Sequence, residues 1–334
     1  MNSFGTLLRV NIFGESHGPC VGITIDGCPA GMPLSVEDFS ADIERRKGGL
    51  QKGTTSRTED DIPVFMSGIF NNKTTGAPLT IIFENNNTRS ADYEKQREVP
   101  RPGHADLTAS QKFGGHEDYR GGGHFSGRLT VCLVAAGVIS KKILALTPGN
   151  ITCTAKLIEA GGETDIEKGI QKAIDAGDSI GGIVECTVDQ LPSGPGSPFF
   201  NSVESLVSHA VFAIPAVKGI EFGAGFSAAK MFGSEHNDAI QNAAGKTGSN
   251  NSGGISGGIL NGNDLVFRVV VKPTSSTPKA QQTFNTTSGE VEPFSVKGRH
   301  DLCIALRVPV VLEAVTAIVL ADLLMEEQLV KKVL

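Results

Sequence analysis

The chain has no tryptophan and only two tyrosines among its 334 residues, which leaves little aromatic surface for stacking nucleic-acid bases. It also lacks a basic surplus. A formal net charge of −6 argues against a general nucleic-acid binder, which works by neutralising phosphates. None of the six cysteines (Cys20, Cys28, Cys132, Cys153, Cys186, Cys303) forms a CxxC pair, and the first residues lack the basic-then-apolar pattern of a secretory signal. Reduced thiols in a cytoplasmic protein follow as the expectation. The most apolar stretch, residues 303–325, is interrupted by Arg307, Pro309, Glu313 and Asp322. It reads as a helix buried in a large core, and no membrane association is expected.

Glycine, by contrast, is abundant. There are 41, against an average usage of about 7%, and they fall in clusters, as expected where backbone builds a site. A hydrophobic fraction of 39% and a charged fraction of 20% describe a globular chain.

Alternation predicts strands over residues 7–13, 21–27, 63–70, 78–84 and 264–273. Helical spacing predicts helices over 35–46, opened by a capping box from Ser35 and Asp38, over 129–146, and over 308–334. Residues 85–128 show no periodicity, and a loop of that length inside a compact chain usually carries function. Strand-like and helix-like segments alternate from 150 to 235. With no dividing linker and no clear repeat, the expectation is one layered domain of mixed α and β structure over 1–334.

Five of the seven histidines (His17, His104, His116, His124, His300) fall in polar loops, whereas His209 lies on a helical face and reads as structural. "FGESHG" (13–18) sets Glu15, Ser16 and His17 between glycines, either a polar turn or part of a catalytic cluster. In "RPGHAD" (101–106) a Pro-Gly turn brings together Arg101, His104 and Asp106. A histidine beside an aspartate can hold one tautomer and move a proton near neutral pH. "DYRGGGHFSGR" (118–128) runs three glycines into a helix start, a pattern that suits a phosphate or flavin-phosphate cradle. "KPTSST" (272–277) follows a strand with a lysine and four hydroxyls, and "GRHD" (298–301) repeats the Arg-His-Asp theme. Arg45, Arg46, Lys52, Arg57, Arg101, Arg120, Arg128, Lys272 and Arg299 all lie in or beside these loops. Brought together in an otherwise acidic protein, they would bind a small polyanion.

With GESHG, RPGHAD, DYRGGG and GRHD in this order, the sequence resembles the chorismate synthases nearly end to end. "FGESHGPCVGITIDGCPAGMPL", "AVKGIEFGAGF", "GGISGGI" and "ALRVPVVLEAVTAIVLADLL" extend the match. The resemblance implies an α+β fold, a β-α-β sandwich with a helical layer between antiparallel sheets, assembled as a homotetramer. It implies conversion of 5-enolpyruvylshikimate 3-phosphate to chorismate and phosphate, a 1,4-anti-elimination that needs reduced FMN without net redox change.

By position, Arg46, Lys52, Arg101, Arg128 and Arg299 would hold the substrate's phosphate and carboxylates. His17 would protonate the leaving phosphate, and His104 would stabilise the reduced flavin at its N1 edge. Asp301, relayed by Ser16, would manage the proton at flavin N5. His124, Phe125, Ser126, Ala216, Gly257, Lys272, Pro273, Thr274, Ser275, Ser276 and Arg299 match flavin-contacting positions. Where the family usually reads GGGRSSARET this chain has GGGHFSGRLT, so His124 and Phe125 replace an arginine and a serine. Lys52 stands for another family arginine. The chain shows no appended reductase stretch, so reduced flavin is expected from an external reductant; turnover driven by NADPH and FMN alone would contradict that.

Two other classes remain open to the residues: a metal-dependent hydrolase using His17, His104, Asp106, His300 and Asp301, and a catalytically weakened flavin- or anion-binding homologue. The first lacks HExxH or comparable ligand spacing. The second rests on the altered GGGHFSGR segment.

Overall fold

The computed structural model describes residues 2–49, 51–55, 59–87, 97–296 and 300–331. Its first sheet grows from a hairpin. Strands β2 (Arg9–Gly14) and β3 (Cys20–Asp26) pair antiparallel with Gly14 opposite Val21, so GESHG lies at the tip that joins them. Strands β1 (Ser3–Phe4), β4 (Val64–Ser67) and β5 (Leu79–Glu84) complete an antiparallel sheet in the order β1-β2-β3-β5-β4. Val21, Ile23 and Ile25 on β3 and Leu79, Ile81 and Phe83 on β5 are buried. Their period of two turns one face toward the helices.

The second sheet is also antiparallel. It contains β6 (Thr152–Ala160), β7 (Gly182–Asp189), β8 (Val217–Phe222) and β9 (Leu265–Val271) in the order β8-β9-β7-β6.

Helices fill the space between the sheets. After the short α1 (Ser40–Arg46) and α2 (Asp106–Phe113) come two buried helices, α3 (Thr130–Leu144) and, closing the fold, α6 (Val308–Glu326). Helix α3 packs on the first sheet and α6 on the second, with their mutual contact at the centre. At that crossing a Cβ on Gly137 would stand 2.3 Å from Ala314 Cβ, so the missing side chain is what lets the two axes close up. Between them in sequence lie α4 (Ile166–Ala176) and α5 (Val203–Val211). The result is the expected α+β sandwich.

Helix α6 with its preceding turn, Ile304–Glu326, is long and apolar enough to cross a membrane, yet 89% of its most apolar window is buried inside the fold. It is apolar all round because other elements cover it all round.

Several boundaries differ from the sequence expectations. The segment 35–46 is a 3-10 turn, Val36–Phe39, leading into α1, and Ser35 N–H donates to Asp38 Oδ2 at 2.8 Å as the capping box requires. The strand expected over 63–70 breaks at Gly68, whose φ of +84° and closeness to Leu79 admit no Cβ. The terminal helix stops at Glu326, short of 334. Helix α2 was not expected; only Ala109 on it is buried, so it carries no amphipathic signal.

Candidate functional site

A cavity of about 850 Å³ opens between the first sheet, the α3 and α6 starts and the loops around 101–106, 120–130 and 272–276. That volume lies in the range of small-molecule sites. Arg46, Arg101, His104, His124, Phe125, Ser126, Arg128, Ala216, Lys272, Pro273, Thr274, Ser275, Ser276 and Asp301 all line it. Four sequence-distant motifs therefore share one wall system.

The triple glycine is the structural centre of this arrangement. Gly121, Gly122 and Gly123 take φ values of +60°, +80° and +52°, a run in the left-handed region open to glycine at little cost. A Cβ on Gly121 would lie 2.4 Å from His17 Cδ2 and 3.0 Å from Ser16 Oγ, and one on Gly122 would lie 3.2 Å from His104 Cε1. The glycines thus let His17 and His104 approach the same short arch. The arch is tied to the β2–β3 tip by Ser16 N–H donating to Gly123 O at 3.1 Å. His124 Nδ1–H donates to Gly14 O at 2.8 Å, so the residue that departs from the family pattern fastens the arch to β2.

His17 is 8% exposed and Ser16 fully buried. The tip that carries them is held by Asn85, whose amide donates to Glu15 O at 3.0 Å and Gly18 O at 2.8 Å. The Asn85 carbonyl in turn accepts from Arg128 Nε at 3.0 Å.

RPGHAD forms the unit its spacing implied. Arg101 grips Asp106 through Nε and Nη2, both at 2.8 Å, and His104 Nδ1 lies 2.5 Å from Asp106 Oδ1. Burial works against the Asp106 carboxylate, yet hydrogen bonds from Arg101 and His104 hold it well below the usual carboxylate range. Arg101 Nη1 donates to Ser276 Oγ at 3.1 Å, and Lys272 Nζ reaches Gly103 O at 3.0 Å and Ser275 Oγ at 2.7 Å. These bonds join the 101–106 turn to the 272–276 loop.

Two hydroxyls find no hydrogen-bond partner among the described residues: Ser16 Oγ beside the glycine arch and Thr274 Oγ1 on the cavity wall. Buried hydroxyls without partners are uncommon. Asp301 accepts from Thr55 N–H at 2.9 Å and pairs with Arg307 at 3.1 Å. No hydrogen bond joins it to Ser16.

Not every expected residue lines the cavity: Ser16 and His17 pack against Gly121 of its wall without being part of the lining. Lys52 donates to Gln171 at 2.8 Å instead, and Gly257 lies in the hairpin between Ile255–Ser256 and Ile259–Asn261, away from the lining. Arg45 pairs with Glu313 and Arg120 with Asp118. Arg57 and Arg299 lie outside the described residues. Among the described residues no group of three or more His, Cys, Asp or Glu is placed to hold a metal ion. Asp61, Asn85 and Arg307 at the site carried no sequence signal, because each acts through partners brought together by the fold.

A family profile for chorismate synthase matches residues 8–325. The chain belongs to the chorismate synthase family. A chorismate synthase of Chitinophaga pinensis is 69% identical over 98% of both chains, and one of Dehalococcoides mccartyi is 44% identical over 100% of this chain and 99% of its own. A solved structure titled "Crystal Structure of Chorismate Synthase" superimposes with a TM-score of 0.72 at 26% identity, over 97% of this chain and 93% of that one. As a chorismate synthase the chain is a lyase acting on a small molecule.

Proposed function

We propose that this cavity converts 5-enolpyruvylshikimate 3-phosphate to chorismate and phosphate, using reduced FMN with no net redox change. The observation that carries this reading is one glycine arch with Gly121 on the wall of an arginine-lined cavity, His104 beside it on that wall and His17 packed against Gly121. The residues present fit a flavin. The two unpartnered hydroxyls, Ser16 Oγ and Thr274 Oγ1, and the 850 Å³ of space offer polar handles and room for a ligand beyond the substrate. Reduced FMN, when bound, would supply transient electron donation that helps phosphate leave from a carbon remote from the C–H bond that breaks.

The chain's own residues bind and move protons. Arg46, Arg101 and Arg128 would hold the substrate's phosphate and carboxylates through planar forks. His17 would give its proton to an oxygen of the leaving phosphate. His104, its Nδ1–H pinned to Asp106, would act through Nε2 at the flavin's N1 edge, with tautomer and ring plane set in advance. Asp301, relayed by Ser16, would manage the proton at the flavin's N5 position. Ala216 and the loop from Lys272 to Ser276 would line the flavin.

In the same reading residues 1–334 act as one domain, in the cytoplasm, as a homotetramer fed by an external flavin reductant. The test is anaerobic phosphate release with FMN reduced or oxidised. Release that requires reduced FMN without consuming it supports the reading, and release indifferent to flavin overturns it.

A further inference from the structure

Arg46 and Arg128, which the proposed function assigns to the substrate's anions, already hold an anion. Asp61 lies between them, its Oδ2 accepting from Arg46 Nη1 at 3.0 Å and its Oδ1 from Arg128 Nη1. The three side chains are 1%, 4% and 3% exposed for Asp61, Arg46 and Arg128. Their other acceptors are neutral: Thr130 Oγ1 and the carbonyls of Gly127 and Arg128 for Arg46, Asn85 Oδ1 and Glu84 O for Arg128. Among the described residues, Asp61 is the one carboxylate paired with either guanidinium.

The local charge does not close. Arg307 donates to Arg46 O at 2.8 Å and pairs with Asp301, so among the described residues these three guanidiniums pair with two carboxylates. Burial, Arg307 and Arg128 push Arg46 down to about 9 against the pull of Asp61, and it stays charged at neutral pH. A further anion is favoured there, but both Nη1 atoms lie behind the Asp61 carboxylate. Asp61 also sits at φ +53°, in the left-handed region that aspartate enters more readily than most residues.

We propose that Asp61 is a built-in stand-in for the substrate's anionic group: it sets the affinity of the Arg46–Arg128 pair by occupying it, and gives way when phosphate or carboxylate arrives. The proposal rests on the reading of those two arginines as substrate-binding. A purely structural Asp61 would predict the opposite sign, because losing a clamp loosens the arginines and weakens anion binding.

Calorimetric titration of Asp61→Asn with inorganic phosphate and with 5-enolpyruvylshikimate 3-phosphate separates the two. The stand-in predicts Kd lower by roughly tenfold or more, since the binding-competent state no longer has to be freed. Unchanged or weaker binding overturns it. Arg128→Gln is the control: if it binds substrate like the wild type, the reading of the arginines fails and the proposal with it. If Arg128→Gln loses binding while Asp61→Asn does not tighten, the proposal alone fails. Should Asp61→Asn not fold, hydrogen exchange on the wild type decides. Adding phosphate raises amide exchange at residues 59–62 if Asp61 is displaced, and exchange that falls or stays level overturns the proposal.

Discussion

At Gly121 a hydrogen atom stands where any other residue would push a Cβ to within 2.4 Å of the His17 ring. The neighbouring His104 depends equally on Asp106, which fixes one of its ring nitrogens. Gly121→Ala should therefore displace His17 more than it disturbs the fold. The expected outcome is a kcat lower by about 100-fold, the usual cost of an ångström-scale misplacement. The measurement is steady-state turnover beside a thermal melt, and a wild-type kcat would contradict the role given to the arch.

Asp106 yields a pH prediction. Its folded pKa lies below the unfolded value of about 4, so its contribution to stability is complete above that pH and is lost as pH falls through the folded value. Asp106→Asn should melt lower than the wild type at pH 7 and lose less of its melting temperature below pH 4. Parallel acid limbs would contradict this.

Among the elements, α3 and α6 cross closely at Gly137 and Ala314. Gly137→Ala puts its Cβ 2.3 Å from Ala314 Cβ and 2.5 Å from Ala314 Cα, where backbone would have to move. Overpacking of this kind costs about 1–3 kcal/mol, readable as a lower urea midpoint, and an unchanged midpoint would contradict the geometry.

Elements of this kind were largely legible in the sequence. Both buried helices and the principal strands follow from apolar spacing, because their partners cover whole faces. Helix α2 was not legible, since one buried alanine among eight residues leaves no stripe. GESHG, RPGHAD, GGG and the hydroxyl loop could be picked out as chemistry; the cavity unites the last three, and GESHG packs against Gly121 of its wall. Their division of labour could not. The glycines read as a phosphate or flavin-phosphate cradle, and the fold adds that their missing side chains admit two histidines. Asp61 and Asn85 looked like ordinary polar residues because their arginine partner, Arg128, lies 67 and 43 positions away.

On the scale of the whole molecule, the two sheets and the helical layer share one apolar core, and the cavity opens on loops from both halves of the chain. Phe199, Phe200, Phe226 and Phe232 are 87%, 93%, 83% and 77% exposed, an unusual display for large apolar side chains on a monomer. The proposed tetramer would cover such side chains. The double variant Phe199→Ser, Phe200→Ser should sediment at a lower mass than the wild type, and equal masses would remove these residues from the assembly. The central claim concerns what the cavity makes. Its most direct test is a single anaerobic turnover of 5-enolpyruvylshikimate 3-phosphate with reduced FMN, following chorismate, phosphate and flavin together. The account predicts chorismate and phosphate in equal amounts with the flavin still reduced at the end. Folded protein that binds flavin and substrate yet forms no chorismate would contradict it.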